Sequence, residues 1–439
     1  MQCSRQRGCA CAQRLVSSLS SLAGDVVAPA HGRRTLPPPP PPPPPTASSF
    51  PRASPAEEEG FFRFEVLHES KRSRARVGVL HTPHGIVDTP GFVPVGTNAA
   101  LKAVDLAHAD GLGAQLVFCN TYHLLLQPGP ATVEAAGGLH RFMARRTRPL
   151  ITDSGGFQVF SLQAAASSVP DCSLKRVAPR NTAGTGLVRV SEEGALFKSY
   201  RDGARLLLTP ESSVATQKAL GADIILPLDE LPAYHVTPEV LSASTQRSHR
   251  WMARSLGAHL AAPQLQAMYG IVHGGTDVDL RRHSAEFLSA LPFDGFAIGG
   301  ALGRDRNEMV DMLAALMPAL PRHKATHLLG IGDEASLRAC VPLGVDTFDS
   351  AWPTRAGRHG DLLTSAGVLK LRSASFAGAF RTPDERCSCP VCTTHTLAYL
   401  HHLHRAREPV LASLAALHNL AYTFGVMAML RDDIMHDRV

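Results

Sequence analysis

Long apolar runs and regularly spaced cysteines are both missing from this sequence. No stretch of about 18 apolar residues occurs, so no membrane-spanning helix is expected. Nine cysteines are present, three near the N-terminus and three clustered near the C-terminus. This is not the pattern of a disulfide-stapled secreted domain. A strong charge of one sign is also absent, because 44 Lys and Arg stand against 38 Asp and Glu. The net charge of +6 is compatible with a polyanionic partner but does not demonstrate one.

Acidic residues are scarce at the N-terminus, where Asp25 is the only one before position 35. Five arginines and several serines and alanines share this segment, a composition typical of transit peptides. Nine consecutive prolines, residues 37–45, then predict an extended spacer. We therefore expect residues 1–59 to form a disordered leader that directs the chain to a mitochondrion or a plastid. A tail without an address, and hence a cytoplasmic protein, is the alternative.

Residues 60–380 carry the sequence pattern of a barrel. Alternation over residues 62–66 and 75–79 predicts antiparallel strands that close the bottom of the barrel. About eight short apolar runs follow, separated by helical stretches, and such runs are typical of parallel strands buried on both faces. The expected strands are Phe92–Val95, Leu116–Phe118, Pro149–Thr152, Ile224–Leu228, Met268–Val272, Phe296–Ile298, Leu328–Ile331 and Val345–Phe348. We predict an α/β fold, a (β/α)8 TIM barrel, with a surface insertion at residues 163–190.

Three aspartates stand at the ends of expected strands, namely Asp153, Asp229 and Asp349. In a TIM barrel they would share the rim that carries the active site. Asp349 is followed by Arg355 and Arg358, and nearby cations favour an ionised carboxylate. An ionised aspartate can attack the anomeric carbon of a sugar. The alternative for Asp349 is an aspartate that caps the following turn.

Glycine-rich segments accompany these acids. Asp153–Gln158 contains a glycine pair and Phe157, which suit close approach and stacking of a flat ligand. Glycines also follow His273, and Gly299 and Gly300 follow the expected strand Phe296–Ile298. Asp229 could accept hydrogen bonds from the adjacent donors on the edge of guanine. Each segment taken alone is a weak signal, since a tight strand-to-helix turn gives the same pattern.

A cysteine cluster near the C-terminus predicts a metal site. Cys387, Cys389 and Cys392, with His418 further along the chain, match a Cys3His zinc site. His418 lies in an apolar helical pattern, so a buried core histidine is the alternative. Four protein ligands would close the coordination sphere, and the zinc would then be structural, one per chain. We expect residues 381–439 to form this zinc-binding helical subdomain.

Taken together, these segments resemble the tRNA-guanine transglycosylases, the queuine or preQ1 tRNA-ribosyltransferase family. The resemblance covers roughly residues 61–436 and rests on these stretches: DSGGFQVFSL, FKSYRDG, LTPESS, GIVHGG, FAIGG, GVDTFDS and CSCPVC. It implies a zinc-bearing TIM barrel that exchanges the wobble guanine, anticodon position 34, of tRNAs with GUN anticodons for queuine or preQ1. It also implies a dimer, formed with a second copy or with a non-catalytic homologous subunit.

The resemblance assigns roles residue by residue. Asp349 corresponds to the nucleophile that attacks the ribose, and Asp153 to the general acid and base. The residues it implies for binding the base are Asp229, Phe157, Gln158, His273, Gly299, Gly300 and Asn120. The residues it implies for contacting tRNA are Thr354, Arg355 and Arg358.

Departures from the family pattern concern the base pocket. His273 stands where the family usually has glutamine, and Leu231 stands where many bacterial members have cysteine. The loop after Gly300 is short, and Gly303 would leave room for the cyclopentenediol arm of queuine. We therefore expect queuine rather than preQ1 as the incoming base.

Two other functions compete with this interpretation. A non-catalytic tRNA-binding subunit of the same fold is disfavoured because all three aspartates are retained. A metal-dependent barrel hydrolase needs histidine ligands on the first strand, and Val93-Pro94-Val95 offers none.

Overall fold

The computed structural model describes residues 50–164 and 186–439. The expected transit peptide, the polyproline segment and most of the expected insertion lie outside these residues. The strands are β1 (Arg63–Glu69), β2 (Arg76–Thr82), β3 (Gly85–Thr89), β4 (Gly91–Pro94), β5 (Val117–Cys119), β6 (Leu150–Thr152), β7 (Gly186–Val190), β8 (Ala195–Lys198), β9 (Arg205–Leu208), β10 (Ile224–Ile225), β11 (Ala267–Val272), β12 (Gly295–Ile298), β13 (Ala325–Leu328), β14 (Thr347–Ser350), β15 (Asp361–Thr364) and β16 (Gly367–Lys370).

Fifteen α-helices connect or cover these strands in the described residues. They are α1 (Pro55–Glu58), α2 (Leu106–Gly111), α3 (Thr121–Leu126), α4 (Pro130–Ala135), α5 (Leu139–Phe142), α6 (Gly156–Ala164), α7 (Pro210–Leu220), α8 (Pro238–Ala261), α9 (Val278–Ser289), α10 (Arg306–Leu316), α11 (Glu334–Cys340), α12 (Trp352–Arg358), α13 (Pro390–Thr394), α14 (Leu397–Ala406) and α15 (Val410–Met435).

Eight parallel strands form the barrel, in the spatial order β4-β14-β13-β12-β11-β10-β6-β5. A parallel bridge between Val95 and Phe118 joins the two ends of this order, so the barrel is nearly closed. The barrel strands are buried along their whole length, as expected for parallel strands covered by helices. This confirms the predicted TIM barrel.

Most barrel strands differ from the expected bounds by one or two residues, and two differ by three. The seventh is Ala325–Leu328 rather than Leu328–Ile331, because its ladder with β12 pairs Ala325 with Gly295 and Leu328 with Ile298. The fourth ends at Ile225, since the side-chain amide of Gln217 bonds both the N–H and the carbonyl of Leu226. The seventh strand does not read as an apolar run, because it contains Thr326 and His327. In the fourth, the Gln217 side chain makes the hydrogen bonds at Leu226 that a neighbouring strand would otherwise make.

The N-terminal sheet confirms the predicted antiparallel strands and adds a third, in the order β1-β2-β3. The expected boundary of the leader at residue 59 is wrong, because residues 50–59 fold onto the protein. The Ser54 side chain caps α1 and also donates to Asp294, and Ala56 is buried. Phe50 packs against the main core. This contact involves few apolar residues, so the composition of residues 50–59 does not indicate that they fold onto the protein.

The expected insertion ends in regular structure. Its last residues form β7, which pairs with β8, and β9 completes an antiparallel sheet. Phe197 of this sheet is buried with Tyr122 and Trp251 in a hydrophobic cluster of its own. This cluster lies next to the strand ends, since Leu228 belongs to it as well.

The C-terminal subdomain begins earlier than expected. Leu362 and Leu371, which lie in and after the β15–β16 hairpin, share a core with Cys389, Cys392 and Leu400. Among the described residues α15 is the one helix long and apolar enough to cross a membrane. Half of its apolar window is buried within the protein, and its contacts with α12, β15 and β4 are those of a core helix.

A buried ion pair attaches the N-terminal sheet to the barrel. Arg76 on β2 donates from Nε and Nη2 to the two carboxylate oxygens of Asp346, at 2.8 and 2.7 Å. Nη2 also reaches the carbonyl of Lys324, and the Thr326 N–H donates to Asp346 Oδ2. Burial raises the pKa of Asp346 and these hydrogen bonds lower it. Removal of either Arg76 or Asp346 would leave the other as a buried charge without a counter-ion.

We predict that Arg76→Met lowers the free energy of unfolding by about 3–5 kcal/mol, because Asp346 then stays buried without its cation. Arg63→Met is the matched control, since Arg63 forms an exposed pair with Glu65, and we expect a loss below about 1 kcal/mol. Urea unfolding followed by circular dichroism measures both. Equal losses in the two variants would contradict the importance of this pair.

Candidate functional site

The strand order brings the predicted site residues to one rim of the barrel. Asp153 follows β6, Asp229 follows β10 and His273 follows β11, and these strands are neighbours. Gly299 and Gly300 follow β12, and Asp349 lies in β14. Parallel strands present their carboxyl ends at the same edge, so residues far apart in sequence face one space.

Asp153 is buried and surrounded by hydrogen-bond donors. Its Oδ2 accepts from Asn120 Nδ2 at 2.7 Å and from Gln158 Nε2 at 3.0 Å. Its Oδ1 accepts from the N–H groups of Thr121 at 2.7 Å and Gly155 at 3.3 Å. Burial raises the pKa of Asp153 to about 6, although the four donors oppose the shift. A carboxyl group with this pKa can both give and take a proton near neutral pH.

The helix that starts beside Asp153 presents two further predicted residues. Phe157 is 55% exposed, so its ring is accessible for stacking. Gln158 is buried, and its Oε1 has no hydrogen-bond partner among the described residues. A buried acceptor without a donor costs free energy unless a ligand satisfies it. Both features fit a planar ligand that carries N–H groups.

Asp229 and His273 form a buried pair. His273 Nε2 lies 2.8 Å from Asp229 Oδ2, and the hydroxyl of Ser154 lies 3.4 Å from Oδ1. Both residues are almost inaccessible, with 5% and 3% of their surface exposed. The two predicted base-binding residues are therefore in contact before any ligand binds.

Asp349 accepts two hydrogen bonds on one oxygen. His327 Nε2 lies 3.1 Å from Oδ1, and the N–H of Gly330 donates to the same atom at 3.0 Å. Thr347 Oγ1 lies 2.8 Å from His327 Nδ1, which fits a tautomer with the proton on Nε2. Oδ2 has no hydrogen bond among the described residues. The carboxylate is thus oriented by one oxygen and free at the other.

The cations expected beside Asp349 lie on α12 and form no ion pair with it in the described structure. Arg355 is exposed, and its guanidinium lies 5.8 Å from the centre of the Trp352 ring. Arg358 is half-buried, and its Nη1 has no partner in the described part of the chain; burial and Arg355 lower its pKa. Thr354 is 2% exposed and donates to the Ala351 carbonyl. The position of Thr354 therefore does not support its predicted contact with RNA.

A cavity of about 240 Å³ adjoins the base-binding residues. It extends from His273, Gly300 and Ala301 to the segment 232–241. Gly300 has a φ of +77°, and a Cβ there would lie 3.3 Å from His273 Nδ1. A Cβ on Gly299 would lie 2.8 Å from Ile271. Side chains at either glycine would therefore strain or crowd the wall of this cavity.

The predicted metal ligands converge. The sulfurs of Cys387, Cys389 and Cys392 lie 3.8, 3.5 and 3.3 Å from His418 Nδ1. Donors around a tetrahedral zinc are separated by about 3.6 Å, so the set fits. His418 Nε2 lies 2.8 Å from the Leu363 carbonyl and can donate to it, which leaves Nδ1 free to bind a metal.

A second group of metal-type side chains lies at the other end of the barrel, before β10. His84 Nδ1 and His140 Nε2 lie 2.8 and 3.0 Å from the two oxygens of Asp223. The two imidazole rings are stacked, with centroids 3.5 Å apart, so their lone pairs lie in separate parallel planes. Hydrogen bonds alone account for this group, and they hold the pKa of Asp223 at about 2 despite its burial.

Two residues of the site, His327 and Ser154, are not among the predicted site residues. The expected seventh strand begins one residue after His327, and Ser154 lies in a segment whose pattern also fits a tight turn. No single-sequence signal marks either one, because each acts through a partner that is distant in sequence: Asp349 for His327 and Asp229 for Ser154. The His-Leu-Leu-Gly run at residues 327–330 would have been informative only with the correct strand register.

The fold and this rim define a class of protein, a TIM-barrel enzyme whose several carboxyl groups at the strand ends suit glycosyl transfer. A closed Cys3His set accompanies the barrel. Comparison with known proteins narrows the class. Residues 70–439 match the family described as queuine tRNA-ribosyltransferase.

Relatives of this description are similar over most of their length. A queuine tRNA-ribosyltransferase of Protochlamydia amoebophila is 53% identical over 379 residues, which cover 86% of this chain and 97% of the relative. One from Chlamydia muridarum is 46% identical over 380 residues, covering 86% and 99% of the two chains. The chain therefore belongs to the queuine tRNA-ribosyltransferase family, and it is a pentosyltransferase.

Proposed function

We propose that this enzyme exchanges the wobble guanine of tRNAs with GUN anticodons for queuine through a covalent bond between Asp349 and the ribose. One observation carries the proposal. The rim combines a carboxylate with a free oxygen, Asp349, and a second carboxyl group, Asp153, whose pKa is raised to about 6. Two carboxyl groups in different environments are the usual components of retaining glycosyl transfer.

The two carboxyl groups take different parts in the proposed reaction. Asp349 Oδ2 attacks C1′ of the ribose, the bond from C1′ to guanine N9 breaks, and the electron pair leaves with the base. Protonated Asp153 supplies the proton that neutralises the departing guanine. The incoming base then loses its N9 proton to Asp153 and attacks C1′, and Asp349 leaves. Two inversions at one carbon retain the configuration.

Other residues of the rim recognise the base. Asp229 offers carboxylate oxygens to the N1–H and amino group of guanine, and Phe157 offers an exposed ring for stacking. Gln158 Oε1 is a further unused acceptor. On α12, Arg355 and Arg358 are the cations that we assign to the anticodon backbone.

Partners and location belong to the same proposal. A dimer, either with a second copy or with a non-catalytic homologue, is supported by the family alone. Transport to a mitochondrion or a plastid is supported by the composition of the first 34 residues, with the cytoplasm as the alternative.

We predict that Asp349→Asn lowers turnover at least about a thousandfold while tRNA binding changes little, because an amide is a very poor nucleophile. The parent protein incubated with a GUN tRNA should give a covalent adduct on a denaturing gel, and the variant none. Asp311→Asn, an exposed change on α10, is the control and should keep the adduct. An adduct with Asp349→Asn would move the nucleophile elsewhere, and tRNA binding without exchange by the parent would favour a non-catalytic subunit.

The choice of queuine is supported by the cavity beside Gly300 rather than by Gly303. Gly303 has a φ of +122°, and a Cβ there would lie 3.1 Å from Glu308 and from the Met309 nitrogen. Glycine at this position is therefore required by the backbone, and its substitution would not test the room for an arm. Leu231 packs against the hydrophobic cluster that contains Tyr122 and Trp251.

We predict that the parent enzyme uses queuine at least as well as preQ1, and that Ala301→Leu raises the KM for queuine about tenfold, since the longer side chain fills the cavity. Guanine exchange by the same variant is the internal control, because guanine has no arm, and it should stay within about twofold. Competition between the two bases on one tRNA gives the ratio of kcat/KM. A preference of the parent for preQ1 by about tenfold or more would overturn the assignment.

We also propose that the metal of the Cys3His set is zinc and that its role is structural. All four donors come from the protein, so no position is left for a substrate. The set joins the loop before α13 to α15, and Asn419, next to His418, bonds α12 through the Pro353 carbonyl. Metal binding would therefore stabilise the segment that carries Arg355.

Metal analysis should find one zinc per chain in the parent protein. Cys392→Ser should lose the zinc and lower the melting temperature and the soluble yield, because a closed site contributes folding free energy. Cys340→Ser makes the same chemical change at a buried cysteine outside the cluster and should keep the zinc. Soluble, active parent protein without zinc would refute the assignment.

A further inference from the structure

A buried arginine lies behind the base-binding rim. Arg281 on α9 is fully buried, and within residues 50–164 and 186–439 no carboxylate pairs with it. Burial lowers its pKa to about 9, which still leaves it protonated at neutral pH. A buried cation without a counter-ion is costly. Such a group is retained where its hydrogen bonds do something that a neutral side chain cannot.

Those hydrogen bonds join the two loops that line the base pocket. Arg281 Nη1 donates to the Val272 carbonyl at 2.6 Å and Nε to the Gly275 carbonyl at 2.8 Å, on either side of His273. Nη2 donates to the Ala301 carbonyl at 3.0 Å, next to Gly300. One planar, rigid donor group therefore sets the spacing between the ends of β11 and β12.

The same face of α9 holds the backbone of His273 directly. Ser284 lies three residues after Arg281, on the same side of the helix, and its hydroxyl accepts the His273 N–H at 3.0 Å. His249 Nε2 lies 2.8 Å from this hydroxyl. Burial lowers the pKa of His249 to about 3, so the ring is neutral, and in the tautomer with the proton on Nδ1 its Nε2 accepts the hydroxyl proton. The serine oxygen is thereby oriented toward His273.

The loop that contains His273 and Gly274 has no room to move toward α9. A Cβ on Gly274 would lie 2.6 Å from the backbone nitrogen of Arg281. The loop backbone therefore rests on the first turns of α9. Displacing Arg281 would release both the His273 loop and the Gly300 loop.

We propose that Arg281, assisted by Ser284, is a positioning residue that fixes the width of the base pocket and hence the affinity for the base. The proposal rests on the function proposed above. Arg281 does not touch the reacting atoms. Its loss should weaken base binding and leave the attack of Asp349 on the ribose nearly unchanged.

The test is the kinetics of guanine exchange in Arg281→Lys, Arg281→Met and Ser284→Ala. A lysine keeps the charge but cannot reach three carbonyls at once. We expect the KM for guanine to rise about tenfold in both Arg281 variants and about threefold in Ser284→Ala, with kcat and the KM for tRNA within about twofold of the parent. Arg282→Met, an exposed change at the next residue of α9, is the control and should match the parent.

A purely structural role would give a different result. Loss of folded protein lowers kcat per total protein and leaves the KM for guanine unchanged. If Arg281→Met does not fold, Arg281→Lys and Ser284→Ala decide the question. Guanine KM values within about twofold of the parent, or equal rises for guanine and tRNA, overturn the inference. A parent that exchanges no guanine overturns the proposed function instead, and the inference with it.

Discussion

The need to satisfy buried charge at the carboxyl ends of the strands governs this structure. Asp153 is surrounded by four donors, yet its burial still raises the pKa to about 6. Asp349 is oriented by a histidine and a backbone N–H on a single oxygen. Asp229 is paired with His273. The same strand edge thus gives three carboxyl groups three different environments, and each environment suits a different role in glycosyl transfer.

Buried charge also organises the parts of the molecule away from the rim. The Arg76–Asp346 pair attaches the N-terminal sheet to the start of β14, the strand that carries Asp349. Arg281, which pairs with no carboxylate in the described part of the chain, bridges the loops after β11 and β12. Arginine serves both sites because its planar group donates several hydrogen bonds in fixed directions.

The C-terminal subdomain supports the rim from outside the barrel. The Cys3His set anchors α15, whose Asn419 reaches the Pro353 carbonyl on α12 and the N–H of Leu363 on β15. The strand of Asp349 leads directly into α12. A Cys3His set that lies away from the rim can therefore still influence the position of the residues assigned to the anticodon.

The sequence alone determined the barrel, the places of three aspartates at its rim and the Cys3His set. Each of these leaves a local signature: buried strands read as short apolar runs, an acid follows the run, and thiolate ligands must cluster. Only the tertiary structure decided the partners. His327 on Asp349, Ser54 on Asp294, Arg281 on three carbonyls and the burial of Thr354 all depend on neighbours distant in sequence. Hydrogen-bond geometry and desolvation arise between elements, and no local pattern of residues encodes them.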